Sequence, residues 1–275
     1  MGEELRPGTL GVCFGTDNAA LTTTENAQPA LFLTGLAFSY ELRRAGINAS
    51  ATAGFSLGEI PALAYSGILS NEDAFRLVIA RSRKMAQLSE AYKGGMVAAL
   101  KLDNKTVEDV CGEFTEVWPV NYNCPGQLSC AGNPDQLDAF VEKIKASGGR
   151  AIKLAVSGAF HTPYMKEAEN VLRDTLARMT INVPQINMYS NYTGDIYPPD
   201  AVQLVENIAK QVSSPVRWEQ ILRKMDADGI DTFIEVGAGN TLTGFVKRTL
   251  PKASTYTVTD VTSLQATIDA ISDIK

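Results

Sequence analysis

The sequence predicts an α/β protein: a larger body built on a parallel sheet, over residues 1–93 and 158–275, interrupted by a smaller α+β unit over residues 94–157. Two observations predict it. Along most of the chain helical and strand-like stretches alternate, the order that joins parallel strands through helices. Over residues 94–157 the order becomes β-α-β-β-α-β, the split βαβ arrangement of a ferredoxin-like unit. With 275 residues, 45% hydrophobic and 20% charged, the chain can fill a large core, and its composition excludes disordered and collagen-like classes.

Taken in order, Leu10–Thr16 reads as strand-like. A helix is predicted from Pro29 to about Arg44, with proline at its start, paired arginines in its last turn and Gly46 to stop it. A short strand near 49–53 follows, then Gly54-Phe55-Ser56-Leu57-Gly58, then helix to about Tyr65. Ser70 has the place of an N-cap for the next helix, which carries Arg81, Arg83 and Lys84. The smaller unit is predicted as strand 96–100, helix 106–114, strands 117–122 and 128–131 joined through Pro125-Gly126, helix 134–146 ended by Gly148-Gly149, and strand 151–156. Alternation then resumes: helix 163–178, strand 185–190, two helices across about 200–228, strand 232–236, a helix from Leu242, a strand near 255–258 and a terminal helix.

Charge and cysteine usage narrow the function. A net charge of −6 argues against a general nucleic-acid binder. No apolar run approaches the roughly 18–20 residues that span a bilayer, and Met1-Gly2-Glu3-Glu4-Leu5-Arg6 lacks the basic region and apolar stretch of a signal peptide. A cytoplasmic protein with no membrane partner is expected. Cys13, Cys111, Cys124 and Cys130 form no C-x-x-C pair and His161 is the only histidine, so no metal site is expected and the cysteines read as free thiols.

Gly54-x-Ser56-x-Gly58 stands between a predicted strand and a predicted helix, the setting of a nucleophile elbow in a hydrolase-like parallel sheet. The turn strains the backbone at the serine, and small flanking residues let neighbouring backbone approach. The Leu57 N–H then points the same way and can donate to an oxyanion. A serine hydroxyl needs a base to take its proton. His161 follows the end of a predicted strand, at the edge where α/β active sites gather, and is the only imidazole that could serve.

These segments resemble the malonyl-CoA:acyl-carrier-protein transacylase family over nearly the whole chain from about Gly8. Gly54-Phe55-Ser56-Leu57-Gly58-Glu59 resembles its G-H-S-L-G-E elbow, and Ser157-Gly158-Ala159-Phe160-His161-Thr162-Pro163 its S-G-A-F-H-S-P segment. Asn123-Cys124-Pro125-Gly126-Gln127, with Ala131-Gly132, is similar to N-S-P-G-Q…A-G. The run from Glu235 to Gly244, followed by Lys247-Arg248, resembles E-V-G-P-G-x-x-L-T-G-x-x-K-R. The resemblance implies that Ser56 carries the acyl group and that His161 is base and then acid. It implies that Gln211 helps to position the histidine through a neutral carbonyl, and that Arg81 pairs with the malonyl carboxylate. Leu57, Phe160, Asn123 and Gln127 would bind substrate, Phe160 fitting the malonyl-type pattern. No bound cofactor is implied: malonyl-CoA is the substrate and the coenzyme A thioester and an acyl carrier protein are the partners, in fatty-acid or polyketide synthesis. Carrier proteins are acidic, which suggests a basic rim from Arg83, Lys84 and Arg248.

The chain departs from the family pattern twice. Phe55 stands where the family has histidine. The opening strand with its G-Q-G-S-Q-like loop, which supplies half of the oxyanion hole, is not matched, so a partner polypeptide supplying that strand, or an impaired form, is expected. Two alternatives remain. One is a related acyltransferase for another acyl group, which would leave the Arg81 guanidinium unpaired in a neutral pocket. The other is a catalytically weak carrier-protein-binding subunit. A dinucleotide site is excluded, because Leu242 stands where the third glycine of G-x-G-x-x-G is required.

Overall fold

Helix signals govern the first third of the chain. A computed structural model describes residues 1–156 and 158–272, and in it three short helices, α1 (Gly2–Leu5), α2 (Thr9–Phe14) and α3 (Asn18–Thr22), precede the long α4 (Thr24–Arg44). The strand expected at Leu10–Thr16 is therefore helical. Among the described residues no strand pairs with it; α2 rests on α4, and helix satisfies its backbone groups locally. α4 starts a turn before Pro29, which sits inside the helix rather than at its first position. Glu25 in the first turn and Arg43 and Arg44 in the last complement the helix dipole. Its end is a Schellman turn: Gly46, at φ 84, donates to the Arg43 carbonyl (3.0 Å) and Ile47 to that of Leu42 (3.0 Å).

The body continues through β1 (Ala51–Ala53), α5 (Glu59–Tyr65) and α6 (Asn71–Tyr92), the last capped as expected, with Ser70 Oγ accepting from the Asp73 N–H at 3.0 Å. The smaller unit follows as β2 (Gly95–Leu100), α7 (Asn104–Cys111), β3 (Val117–Cys124), β4 (Gln127–Gly132), α8 (Pro134–Ala146) and β5 (Arg150–Lys153). Its strands form one antiparallel sheet in the order β3-β4-β2-β5. Val97, Val107, Leu128, Phe140 and Ile144 build a separate core between sheet and helices. β5 ends before the expected Val156.

The remainder is α9 (Lys166–Leu176), β6 (Asn187–Tyr189), α10 (Ala201–Lys210), α11 (Trp218–Ala227), β7 (Thr232–Val236), α12 (Thr241–Thr249), β8 (Ser254–Val258) and α13 (Val261–Ser272). Among the described residues the body's parallel strands do not form one sheet. β1 pairs with β6 and β7 with β8, and residues of both β1 and β7 line a cavity of about 900 Å³. The smaller unit is fastened to the body where β3 meets the segment before α11: Tyr122 donates to the Val216 carbonyl (2.9 Å) and Val216 to that of Val120 (2.8 Å). This tie anchors the chain just beyond Gln211–Ser214, which holds the histidine of the site. No described helix is long and apolar enough to cross a membrane.

Candidate active site

β1 stops at Ala53 and the chain turns sharply through Gly54 into a 3-10 turn over Ser56–Gly58, from which α5 continues. Glycine is required at 54: a Cβ there would lie 1.9 Å from the Gly58 carbonyl. Ser56 sits at φ 50, in the left-handed region, a strain worth about 1–3 kcal/mol that the surroundings must hold. The Leu57 N–H has no acceptor among the described residues. Phe55 turns away from the serine and packs edge-on against Trp218, ring centroids 5.5 Å apart.

His161 follows the loop after β5 and also sits in the left-handed region, at φ 62. Ser157, at the head of its motif, lies outside the described residues. Thr162 braces the turn, its hydroxyl donating to the Ala159 carbonyl at 2.7 Å and accepting from the Tyr164 N–H at 3.3 Å. The imidazole is 3% exposed, and its Nε2 lies 2.7 Å from Ser56 Oγ. Its Nδ1 faces the carbonyls of Gln211 (3.0 Å) and Ser214 (3.1 Å). Two acceptors fix the proton on Nδ1 and leave a lone pair on Nε2 for the serine proton. Burial, and next the positive charge of Arg81, push the histidine pKa down to about 4, so the ring is neutral near pH 7.

Arg81 is 1% exposed and reaches the serine from α6. Its Nη1 donates to Gln28 Oε1 (2.6 Å) and its Nη2 to Ser56 Oγ (3.0 Å) and Gln211 Oε1 (3.3 Å), while Nε–H has no partner among the described residues. Burial lowers its pKa to about 10, which leaves it cationic. The Gln211 side chain donates through Nε2 to the Ser56 carbonyl at 2.5 Å. It is thus the main chain of Gln211 that orients the histidine and its side chain that joins serine to arginine.

The residues singled out from sequence therefore divide. Ser56, His161, Gln211 and Arg81 meet. Leu57, Asn123 and Gln127 line the large cavity beside the elbow, a cavity whose lining does not include Ser56. Asn123 donates to Ser129 Oγ (3.1 Å), and Gln127 accepts from Arg248 (3.3 Å). Phe160 is half-buried and packs with Ala159, Trp118 and Tyr164. Arg83 and Lys84 are neutralised as a rim, paired with Glu25 (3.4 Å) and Glu167 (2.8 Å). Gln28, which grips Arg81, escaped sequence reading because a polar residue just before the expected helix start looks solvated; Asn191 carried a usable signal in its place at the carboxyl end of a predicted strand.

Glu59 and His161 titrate in opposite senses on folding. Burial pushes the buried Glu59 carboxyl up to about 7, against hydrogen bonds from Tyr197 and Asn191 that favour its charged form. Between pH 4.5 and 7 the folded chain holds a proton there that the unfolded chain has lost, so this contribution to stability falls as pH rises. His161 is the reverse: between pH 4 and 6.5 the unfolded chain holds the extra proton, and stability rises with pH. The two slopes largely cancel. Glu59→Gln removes one of them, and its stability relative to the parent should improve by about 3 kcal/mol from pH 4.5 to 7.5. Urea unfolding at both pH values measures it; an unchanged gap would show that Glu59 titrates normally.

A strained elbow serine with a neutral imidazole on its hydroxyl and a guanidinium beside it is the equipment of an acyl-transferring α/β enzyme. The chain belongs to the acyl transferase domain family, whose sequence model matches residues 10–269. It is 35% identical to the malonyl CoA-acyl carrier protein transacylase of Bacillus subtilis strain 168, over 98% of this chain and 87% of that protein. The crystal structure of the malonyl CoA-acyl carrier protein transacylase of Clostridium perfringens ATCC 13124 superposes with a TM-score of 0.94 at 34% identity, covering 99% of this chain and 87% of that one. A malonyl-transacylase in complex with its type II PKS acyl-carrier protein superposes with a TM-score of 0.93 at 29% identity, covering 98% and 89%.

Proposed function

We propose that this chain transfers a malonyl group from malonyl-CoA to the phosphopantetheine thiol of an acyl carrier protein through an ester on Ser56. The observation that carries it is the guanidinium of Arg81 within 3.0 Å of a serine hydroxyl that also meets a neutral imidazole. A buried cation at the nucleophile selects an acyl group with a free carboxylate, which a guanidinium can hold through parallel hydrogen bonds. His161 Nε2 takes the Ser56 proton as Oγ bonds to the thioester carbonyl carbon, and the Leu57 N–H donates to the resulting oxyanion. The carbon–sulfur bond then breaks and the coenzyme A sulfur takes the proton from Nε2. The carrier thiol reverses these steps, giving its proton to His161 and receiving the malonyl group. The names of the relatives support this acyl group and this carrier. A cytoplasmic setting and the absence of a bound cofactor belong to the same reading.

The architecture supports a hydrolase-like body, residues 1–93 and 158–275, with residues 94–157 as an inserted ferredoxin-like subdomain; the antiparallel order β3-β4-β2-β5 with helices after its first and third strands favours that reading. The body is open, however. β1 and β7 both line the cavity, each with one edge hydrogen-bonded to β6 or β8. An extended apolar strand lying between them would pair with both and bring a second oxyanion donor beside Leu57. The purified chain alone should then transfer malonyl about 100- to 1000-fold more slowly than an enzyme with both donors. Ordinary enzymatic rates from the chain by itself would refute the need for that strand.

Intact-protein mass spectrometry after mixing with malonyl-CoA tests the main reading. A malonyl-sized increase on Ser56 supports it, and an unmodified folded protein in the presence of an added strand would sink it.

A further inference from the structure

Ser56 holds a backbone conformation that residues other than glycine seldom adopt; Gln211 reaches its carbonyl, yet neither His161 nor Arg81 nor Gln211 meets its N–H. Asn191 does. It lies just beyond the end of β6 and is fully buried. Its side-chain Oδ1 accepts from the Ser56 N–H at 2.6 Å, and its Nδ2–H donates to the Gly54 carbonyl at 2.7 Å. One amide therefore bridges the elbow on both sides of the strained residue. Asn191 is held in turn. Its N–H donates to Glu59 Oε1 at 3.0 Å, and its carbonyl accepts from the Arg217 N–H at 3.1 Å. The Tyr197 hydroxyl donates to the same Glu59 oxygen at 2.6 Å. Glu59 is 1% exposed and opens α5 directly after the elbow, so the network closes on the segment it braces.

We propose that Asn191 is a positioning residue for the acyl transfer: its side-chain amide holds Ser56 in the backbone conformation that keeps Oγ on His161, and Glu59 with Tyr197 holds the amide in place. This rests on Ser56 being the nucleophile. The site demands a donor and an acceptor in one plane, which only a carboxamide of this length supplies. Aspartate keeps the acceptor for the Ser56 N–H but sets a carboxylate oxygen against the Gly54 carbonyl. Leucine has similar bulk and supplies neither. Because the Ser56 N–H is spent on Asn191, the Leu57 N–H remains the elbow's donor for an oxyanion.

The test compares Asn191→Leu, Asn191→Asp and Tyr197→Phe in the full chain. The rate at which a fluorophosphonate labels Ser56, per labelled site and with folding checked by circular dichroism, reads the nucleophile whatever acyl group it carries. Steady-state malonyl transfer separates kcat from KM. Asn191→Leu should lose about 100-fold in labelling rate and in kcat with KM for malonyl-CoA nearly unchanged, as expected for a displaced reacting atom. Asn191→Asp should fall between it and the parent, and Tyr197→Phe should lose a few-fold. A folded Asn191→Leu chain that labels at the parental rate would overturn the proposal. If that variant does not fold, parental rates in both Asn191→Asp and Tyr197→Phe would do so. A parent chain that labels normally but accepts no malonyl group refutes the malonyl reading and leaves Asn191 standing.

Discussion

With Ser56 replaced by alanine, malonyl-CoA is expected to leave no covalent adduct, and transfer to carrier protein should fall by on the order of 10⁴- to 10⁶-fold. His161→Ala should cost a similar amount, and the double variant should be little worse than either single one. The geometry dictates this non-additivity. Among the described residues Nε2 of His161 has one partner, Ser56 Oγ at 2.7 Å, and its Nδ1 is occupied by two carbonyls, so the ring acts through the serine. A serine hydroxyl without its base is a poor nucleophile, and a base without its hydroxyl has no proton to take. Intact mass and initial rates measure both. Losses that multiply in the double variant would mean that the two residues act independently, and an adduct on Ser56→Ala would move the acyl group to another residue.

The elbow and the histidine were legible because their signals are local. G-x-S-x-G between strand and helix is a run of steric requirements, and Gly54 meets one of them literally. Helix α8 was legible for the same reason: Asn133 caps it, Pro134 starts it, and Gly148, at φ 84, terminates the turn after it, so its expected and observed spans coincide. What escaped depends on contacts distant in sequence. The strand-like Leu10–Thr16 becomes α2 where, among the described residues, no strand pairs with it, a fact of tertiary structure that no window of sequence contains. Gln28 and Asn191 are 53 and 135 residues from the groups they hold. Both are amides, and an amide reads the same in sequence whether it faces water or a buried partner. The gap between β1 and β7 follows the same logic: each strand is recognisable from its composition, and their failure to pair is not.

Replacing Arg81 with methionine is expected to invert acyl preference. Arg81 is buried and its charge is poorly matched, because the carboxylate nearest to it electrostatically, Glu59, has its pKa raised to about 7 and is only part-ionised near neutrality. An incoming malonyl carboxylate completes the pairing. It also relieves the repulsion that, after burial, holds the His161 pKa near 4, and so strengthens the base when the correct acyl group is present. A neutral acyl group does neither. In Arg81→Met the carboxylate meets an apolar side chain, and kcat/KM for malonyl-CoA should fall by about 10³-fold or more. Acetyl-CoA loses nothing comparable, since its methyl group had no use for the guanidinium. Removing the charge should also raise the pKa of His161, moving the acid limb of the acetyl-transfer pH profile to higher pH. Competition between malonyl-CoA and acetyl-CoA, with the pH profile of the latter, measures both effects. Equal losses for the two substrates, with the acid limb unmoved, would mean that Arg81 only supports the fold around Gln28 and Gln211 and that the carboxylate is recognised elsewhere.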